Sequence, residues 1–271
     1  MTNRRTFIAQ LTSVAGLSPV LATGQPAPVP SGTRRFDVRF AIASDGHFGQ
    51  DGTDYERFFK EMIGWLHEEA DGKGLDFVIF NGDMIHDDPR LLPQLKLRLD
   101  QLKVPYFVNR GNHDKASPQL WKQTWGYPEN HHFECGDFAF LLVSTSNEKG
   151  DYLAPDLSWL RDRLDFYKAK RAIFPFLHIG QIKFTRHSIA SPEASELLAK
   201  TRNIPAVFHG HDHDMDNVIL WNDRHYFFDG HMGGSWGTNY RGYRIVEIPK
   251  DGRMRTYQCN PQAFYVNGAA L

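Results

Sequence analysis

The sequence predicts an α/β domain in which two packed, mixed β-sheets are flanked by helices, and three observations lead there. Short apolar, strand-like runs alternate with helical patterns between residues 36 and 208. From Asp216 onward the helical patterns stop and two hairpin signals follow. Strand after strand runs into a cluster of Gly, Asp, Asn or His, where an open α/β sheet gathers its functional groups. The alternation argues for substantially parallel pairing, and the β-rich end adds hairpins.

The elements follow in chain order. Residues 36–43 read as a strand ending at Ser44-Asp45. Residues 55–70 place Phe58, Phe59, Met62, Ile63 and Leu66 at helical spacing, with Asp54 as N-cap and Gly72 as stop. Residues 77–80 form a short buried strand leading into Asn81-Gly82-Asp83. Helix 91–102 and strand 106–108 come next, the strand running into Gly111-Asn112-His113-Asp114. Strand 138–144, helix 156–170, strand 172–177, helix 192–200 and strand 206–208 continue the alternation. Strands 218–221 and 225–228 flank Asn222-Asp223-Arg224, and strands 243–248 and 254–258 flank residues 249–253.

Composition sets the outer bounds. A chain of 271 residues with 41% hydrophobic content and a formal net charge of −1 suits one substantial domain with a real core. The near-zero sum supplies no field for duplex nucleic acid or an anionic membrane, so neither is an expected partner. The N-terminal stretch reads differently. Arg4-Arg5 precede Phe7-Ile8, a mildly apolar run over 11–22 and a stretch over 25–32 rich in Pro and small residues. That is the order of a secretory signal, and the paired arginines resemble a twin-arginine signal. The apolar run is too short to span a bilayer comfortably. The expected division is a leader and linker over 1–33 and one domain over 34–271, in a periplasmic or secreted protein without a stable membrane anchor. A basic N-terminus that is never cleaved is the alternative. Cys135 and Cys259 are the two cysteines; one disulfide and two unpaired thiols both stay open.

Five strand ends carry the chemistry. Asp45-Gly46-His47 follows the first strand, Gly82-Asp83 the second, and Gly111-Asn112-His113-Asp114 the third. His178 ends strand 172–177, and Gly210-His211-Asp212-His213 follows strand 206–208. Each piece alone has a bland reading, since Gly-Asp is a common turn and a lone His in an apolar run is most often a core residue. All five together are specific. Carboxylate and imidazole donors suit manganese, iron or zinc, not calcium or copper(I).

The series resembles the calcineurin-like metallophosphoesterases, with all five blocks in that family's order from about residue 36 to the final hairpin. The stretch 150–164 is similar to the small bacterial branch containing cyclic-nucleotide and glycerophospho-phosphodiesterases. The resemblance implies a four-layer αββα sandwich around two divalent or trivalent metal ions. It implies one ion on Asp45, His47 and His213, the other on Asn112, His178 and His211, and Asp83 between them. His178 is preferred to His187 for the fourth block. The implied reaction is hydrolysis of a small phosphate ester, most readily a phosphodiester, by hydroxide held between the metals. His113 assists as proton donor to the leaving oxygen or as a cationic hydrogen-bond donor, and Asp114 orients its imidazole. A phosphomonoesterase or pyrophosphatase of the same fold is the alternative, and a non-catalytic metal-binding scaffold is the alternative of a different class.

Residues 48–53, 86–90, 115–118, 147–152 and 231–240 are expected to line the pocket. His86 reads as solvating its loop rather than facing the site. The run from His231 to Trp236 reads equally as a turn beside a ligand or a packing turn. His131 and His132 read as surface residues ahead of a strand.

Overall fold

A computed structural model describes residues 36–250 and 253–262; the leader expected over 1–33 lies outside them. The chain order is β1 (Phe36–Ala43), α1 (Tyr55–Gly72), β2 (Phe77–Asn81), α2 (Leu92–Leu99), β3 (Tyr106–Asn109), α3 (Pro118–Trp125) and β4 (His131–Cys135). It continues with β5 (Phe138–Val143), α4 (Leu157–Phe166), β6 (Ala172–Leu177), α5 (Pro192–Lys200), β7 (Ala206–His209), β8 (Val218–Trp221), β9 (Arg224–Phe228), β10 (Tyr243–Pro249) and β11 (Arg255–Cys259). The strands form a five-stranded sheet in the order β11-β10-β1-β2-β3 and a six-stranded sheet in the order β4-β5-β6-β7-β9-β8. Both are mixed: β1, β2 and β3 run parallel, β10 pairs antiparallel with β1, and β11 pairs antiparallel with β10. In the second sheet β5, β6, β7 and β9 run parallel between antiparallel edges β4 and β8.

Strand periodicity explains the layers, because successive side chains point to opposite faces. From β1, Val38, Phe40 and Ile42 enter the cluster between the sheets, where they meet Phe140 and Phe174 of the other sheet. Ala41 and Ala43 face the other way, into the core shared with Phe59, Met62 and Leu66 of α1, Leu95 of α2 and Trp121 of α3. The second sheet repeats the scheme, with Leu141, Ile173 and Val207 against Leu160 and Leu164 of α4 and Leu198 of α5. The result is the αββα sandwich that the sequence predicts.

Two elements were not expected. Helix α3 is too short to show clear apolar periodicity, and its signals are caps instead. Ser117 accepts from the Leu120 N–H, Pro118 opens the helix, and Gly126 closes it in the left-handed region. Strand β4 contains His131 and His132, so these residues do not precede a strand as surface groups. They pair with Leu142 and Leu141 of β5, and His131 stacks on Tyr127 at 4.0 Å. The hairpin between β8 and β9 turns on Asn222 and Asp223, both at positive φ, as a tight two-residue turn requires. Cys135 and Cys259 lie on edge strands of different sheets, with no disulfide between them.

Candidate metal centre

The carboxyl ends of β1, β2 and β3 in one sheet and of β6 and β7 in the other open onto one site. Asp45, His47, Asp83, Asn112, His178 and His213 are all buried there, and His211 is nearly so. Nitrogen and carboxylate atoms of Asp45, His47 and His213 lie within 4.8 Å of one another, and so do those of Asp83, His178 and His211. His213 Nε2 is 3.1 Å from Asp45 Oδ1, and His178 Nε2 is 3.1 Å from Asp83 Oδ2. His47 Nε2 sits 4.0 Å from that same Asp83 oxygen, so Asp83 faces both groups.

The backbone at these turns is unusual. Asp45, His47, Asp83 and His211 all hold positive φ, a conformation that costs a non-glycine residue about 1–3 kcal/mol and gathers at functional sites. Gly82 shows why one neighbour has no side chain: its φ is +94°, and a Cβ there would lie 2.4 Å from His178 Nδ1.

Electrostatics bind the site together. Burial alone would raise the Asp45 carboxyl, but His213 and His178 hold it well below its ordinary value. Burial opposes ionisation of Asp83 too, and His178 and His47 outweigh it. Conversely, burial disfavours charge on His178, yet Asp83 and Asp45 raise its pKa to about 10. His47 and His211 fall to about 3 and about 4, chiefly through burial. Two buried carboxylates therefore demand positive charge in the space they share.

A pair of metal ions fits that demand. His211 Nε2 and Asn112 Oδ1 are buried and make no hydrogen bond, a costly state unless a ligand takes their lone pairs, and His178 Nε2 meets the Asp83 carboxylate beside them. His178 donates through Nδ1 to the Asn81 carbonyl at 2.7 Å, and His213 through Nδ1 to the Trp236 carbonyl at 3.2 Å. Each bond aims Nε2 at the site, the outer-sphere arrangement typical of ligating imidazoles.

The mouth departs from expectation at Asp114 and His86, and it settles the turn left open at Trp236. Asp114 does not orient His113. Its carboxylate is buried and accepts the backbone N–H groups of Asp83, Met84, Ile85 and Gly111, and so ties two ligand-bearing turns together. The His113 imidazole meets Asp87 instead, with Nδ1 3.0 Å from Oδ1. His86 does not simply solvate its loop: it stacks on His113 at 4.9 Å and approaches His47. Trp236, from the stretch whose role was open, stacks on His213 at 4.4 Å and lies 4.8 Å from His47. The turn is therefore part of the site wall. Gly237 permits this, since a Cβ there would meet the His213 backbone oxygen at 2.5 Å. His187 is exposed and lies at the margin, 5.9 Å from the His211 ring. Sequence reasoning placed Asp87 in the pocket lining but missed it as the partner of His113, although the paired acids Asp87-Asp88 after the second strand were its signal.

The sequence model of the calcineurin-like phosphoesterases matches residues 38–215. No curated protein matches the chain. Among solved structures the chain is similar to a dimetal phosphatase from Danio rerio, at 14% identity and TM-score 0.65, covering 82% of this chain and 96% of that one. It is also similar to the calcineurin-like phosphoesterase YfkN from Bacillus subtilis, at 13% identity and TM-score 0.50, covering 82% and 90%. Identities this low speak for the fold alone. With the family's sequence model covering residues 38–215, the chain belongs to the calcineurin-like phosphoesterase family.

Proposed function

We propose that the protein is an exported phosphoesterase that cleaves small phosphodiesters with the help of two metal ions. The observation that carries the reading is the buried pair His211 Nε2 and Asn112 Oδ1, without hydrogen bonds, beside His178 and Asp83 and next to the Asp45, His47 and His213 group. Asp45, His47 and His213 would hold one ion and Asn112, His178 and His211 the other, with Asp83 shared. The mixed carboxylate, imidazole and amide donors suit manganese, iron or zinc. When bound, two such cations make water acidic enough to attack at neutral pH and stabilise charge on the phosphoryl oxygens.

The remaining work falls to the chain. His113 is half-buried at the mouth, held by Asp87, and in position to hydrogen-bond and protonate the leaving oxygen. Lys115 is bound to Asp87 and Arg110 to Glu129, so neither cation is open to clamp an incoming phosphate. That favours a singly charged diester over a doubly charged monoester. The near-neutral chain favours a small ester over duplex nucleic acid or a membrane surface. The order of residues around Arg4-Arg5 supports export.

The test is turnover of bis(para-nitrophenyl) phosphate against para-nitrophenyl phosphate, after reconstitution with manganese, zinc or iron. Faster diester turnover supports the reading. Monoester turnover alone makes the protein a phosphatase, and no turnover with two metals bound makes it a scaffold. An intact Met1 on cytoplasmic protein would contradict export.

A further inference from the structure

Each of three buried histidines in the centre must present one ring nitrogen to the site, and that requires the proton to sit on the other nitrogen. His178 and His213 settle this with backbone carbonyls, those of Asn81 and Trp236. His47 does not. Its Nε2 faces His213 Nε2 at 3.0 Å and the Asp83 carboxylate, while its Nδ1 meets another imidazole, His86 Nδ1, at 3.0 Å. Two nitrogens at that distance share one proton: one donates and the other accepts. Because His47 Nε2 has to offer its lone pair to the ion held with Asp45 and His213, the proton belongs on His47 Nδ1 and the lone pair on His86 Nδ1.

We infer that His86 is a positioning residue for the metal centre. It accepts the His47 Nδ1–H and so commits His47 Nε2 to the ion shared with Asp45 and His213. Two contacts fix the His86 ring in that place. It stacks on His113 at 4.9 Å with 12° between planes, and the His86 backbone N–H bonds the Phe48 carbonyl at 3.0 Å, one residue beyond His47. The inference rests on the two-metal reading above.

The experiment is zinc titration by calorimetry of the full chain as wild type, His86→Asn and His86→Leu, with melting curves to establish folding. The asparagine carries an acceptor oxygen close to the place of Nδ1; leucine carries none. Wild type is expected to bind two zinc ions. His86→Leu weakens one of them about 10- to 100-fold, the usual cost of losing an outer-sphere partner, and His86→Asn restores most of the loss. Long-range proton–nitrogen spectra of the zinc-loaded wild type should show His47 protonated at Nδ1, a readout that does not depend on any variant folding. Leucine and wild-type curves that coincide, or a proton on His47 Nε2, would overturn the role of His86 and leave the two-metal reading standing. Three zinc ions per chain would make His86 a ligand instead of a positioning residue. No zinc bound by the folded wild type would overturn both.

Discussion

His113 directs its Nδ1 at the Asp87 carboxylate, 3.0 Å away, and Lys115 reaches the same oxygen at 2.7 Å. The imidazole is therefore held from the loop after β2, not by its neighbour Asp114. His113→Ala should lower kcat by about 10²–10⁴ with both metals retained, the usual range for a lost proton donor. Asp87→Asn should lower kcat by less and leave metal content unchanged. Steady-state kinetics beside elemental analysis checks both, and an unchanged kcat in His113→Ala would remove that residue from the reaction.

Asp114 is predicted to act on stability. Its carboxylate accepts four backbone N–H groups at 2.7–3.2 Å. Asp114→Asn sets an amide N–H among those donors, at a cost on the order of 2 kcal/mol or more. Denaturant unfolding measures it; a variant as stable as the parent would show that those turns hold themselves.

Gly82→Ala should damage the site without unfolding the domain. The new Cβ would lie 2.4 Å from His178 Nδ1 in a backbone conformation with φ of +94°, so the ring must leave the Asn81 carbonyl. Metal affinity should fall roughly tenfold or more. Calorimetry reports it, and wild-type affinity would show that His178 is not fixed by this contact.

Acid should weaken the fold through His131. Burial, with a smaller contribution from His132, lowers its pKa from the ordinary 6.5 to about 4. The unfolded chain therefore binds a proton at higher pH than the folded one. Stability from this group is complete above about pH 6.5 and drains away as pH falls towards about 4. His131→Phe, which keeps the stack on Tyr127, should flatten that part of the stability profile. An unchanged profile would place the acid sensitivity elsewhere.

Much of this was legible in the sequence, and the pattern of what was not is physical. Strand β1 and helix α1 announce themselves because their apolar spacing is long and regular. The seven proposed ligands were legible because each follows a strand, and topology delivers strand ends to one edge. Helix α3 and strand β4 were missed: one is short, and the other carries two histidines on a half-buried edge. Asp87, His86 and Trp236 depend on which way a loop folds back, which no periodicity records. The exchange of Asp114 for Asp87 is the clearest case. Adjacent positions made Asp114 the natural partner of His113, but backbone donors from two turns claimed its carboxylate first.

A centre built around a shared Asp83 is best challenged by titrating manganese or zinc into metal-stripped protein. Turnover of bis(para-nitrophenyl) phosphate is followed throughout, with Asp83→Ala in parallel. The expected result is no turnover without metal, a rise that levels at two ions per chain, and neither full occupancy nor activity in Asp83→Ala. Turnover by the stripped protein, or full occupancy of both ions in Asp83→Ala, would contradict that centre.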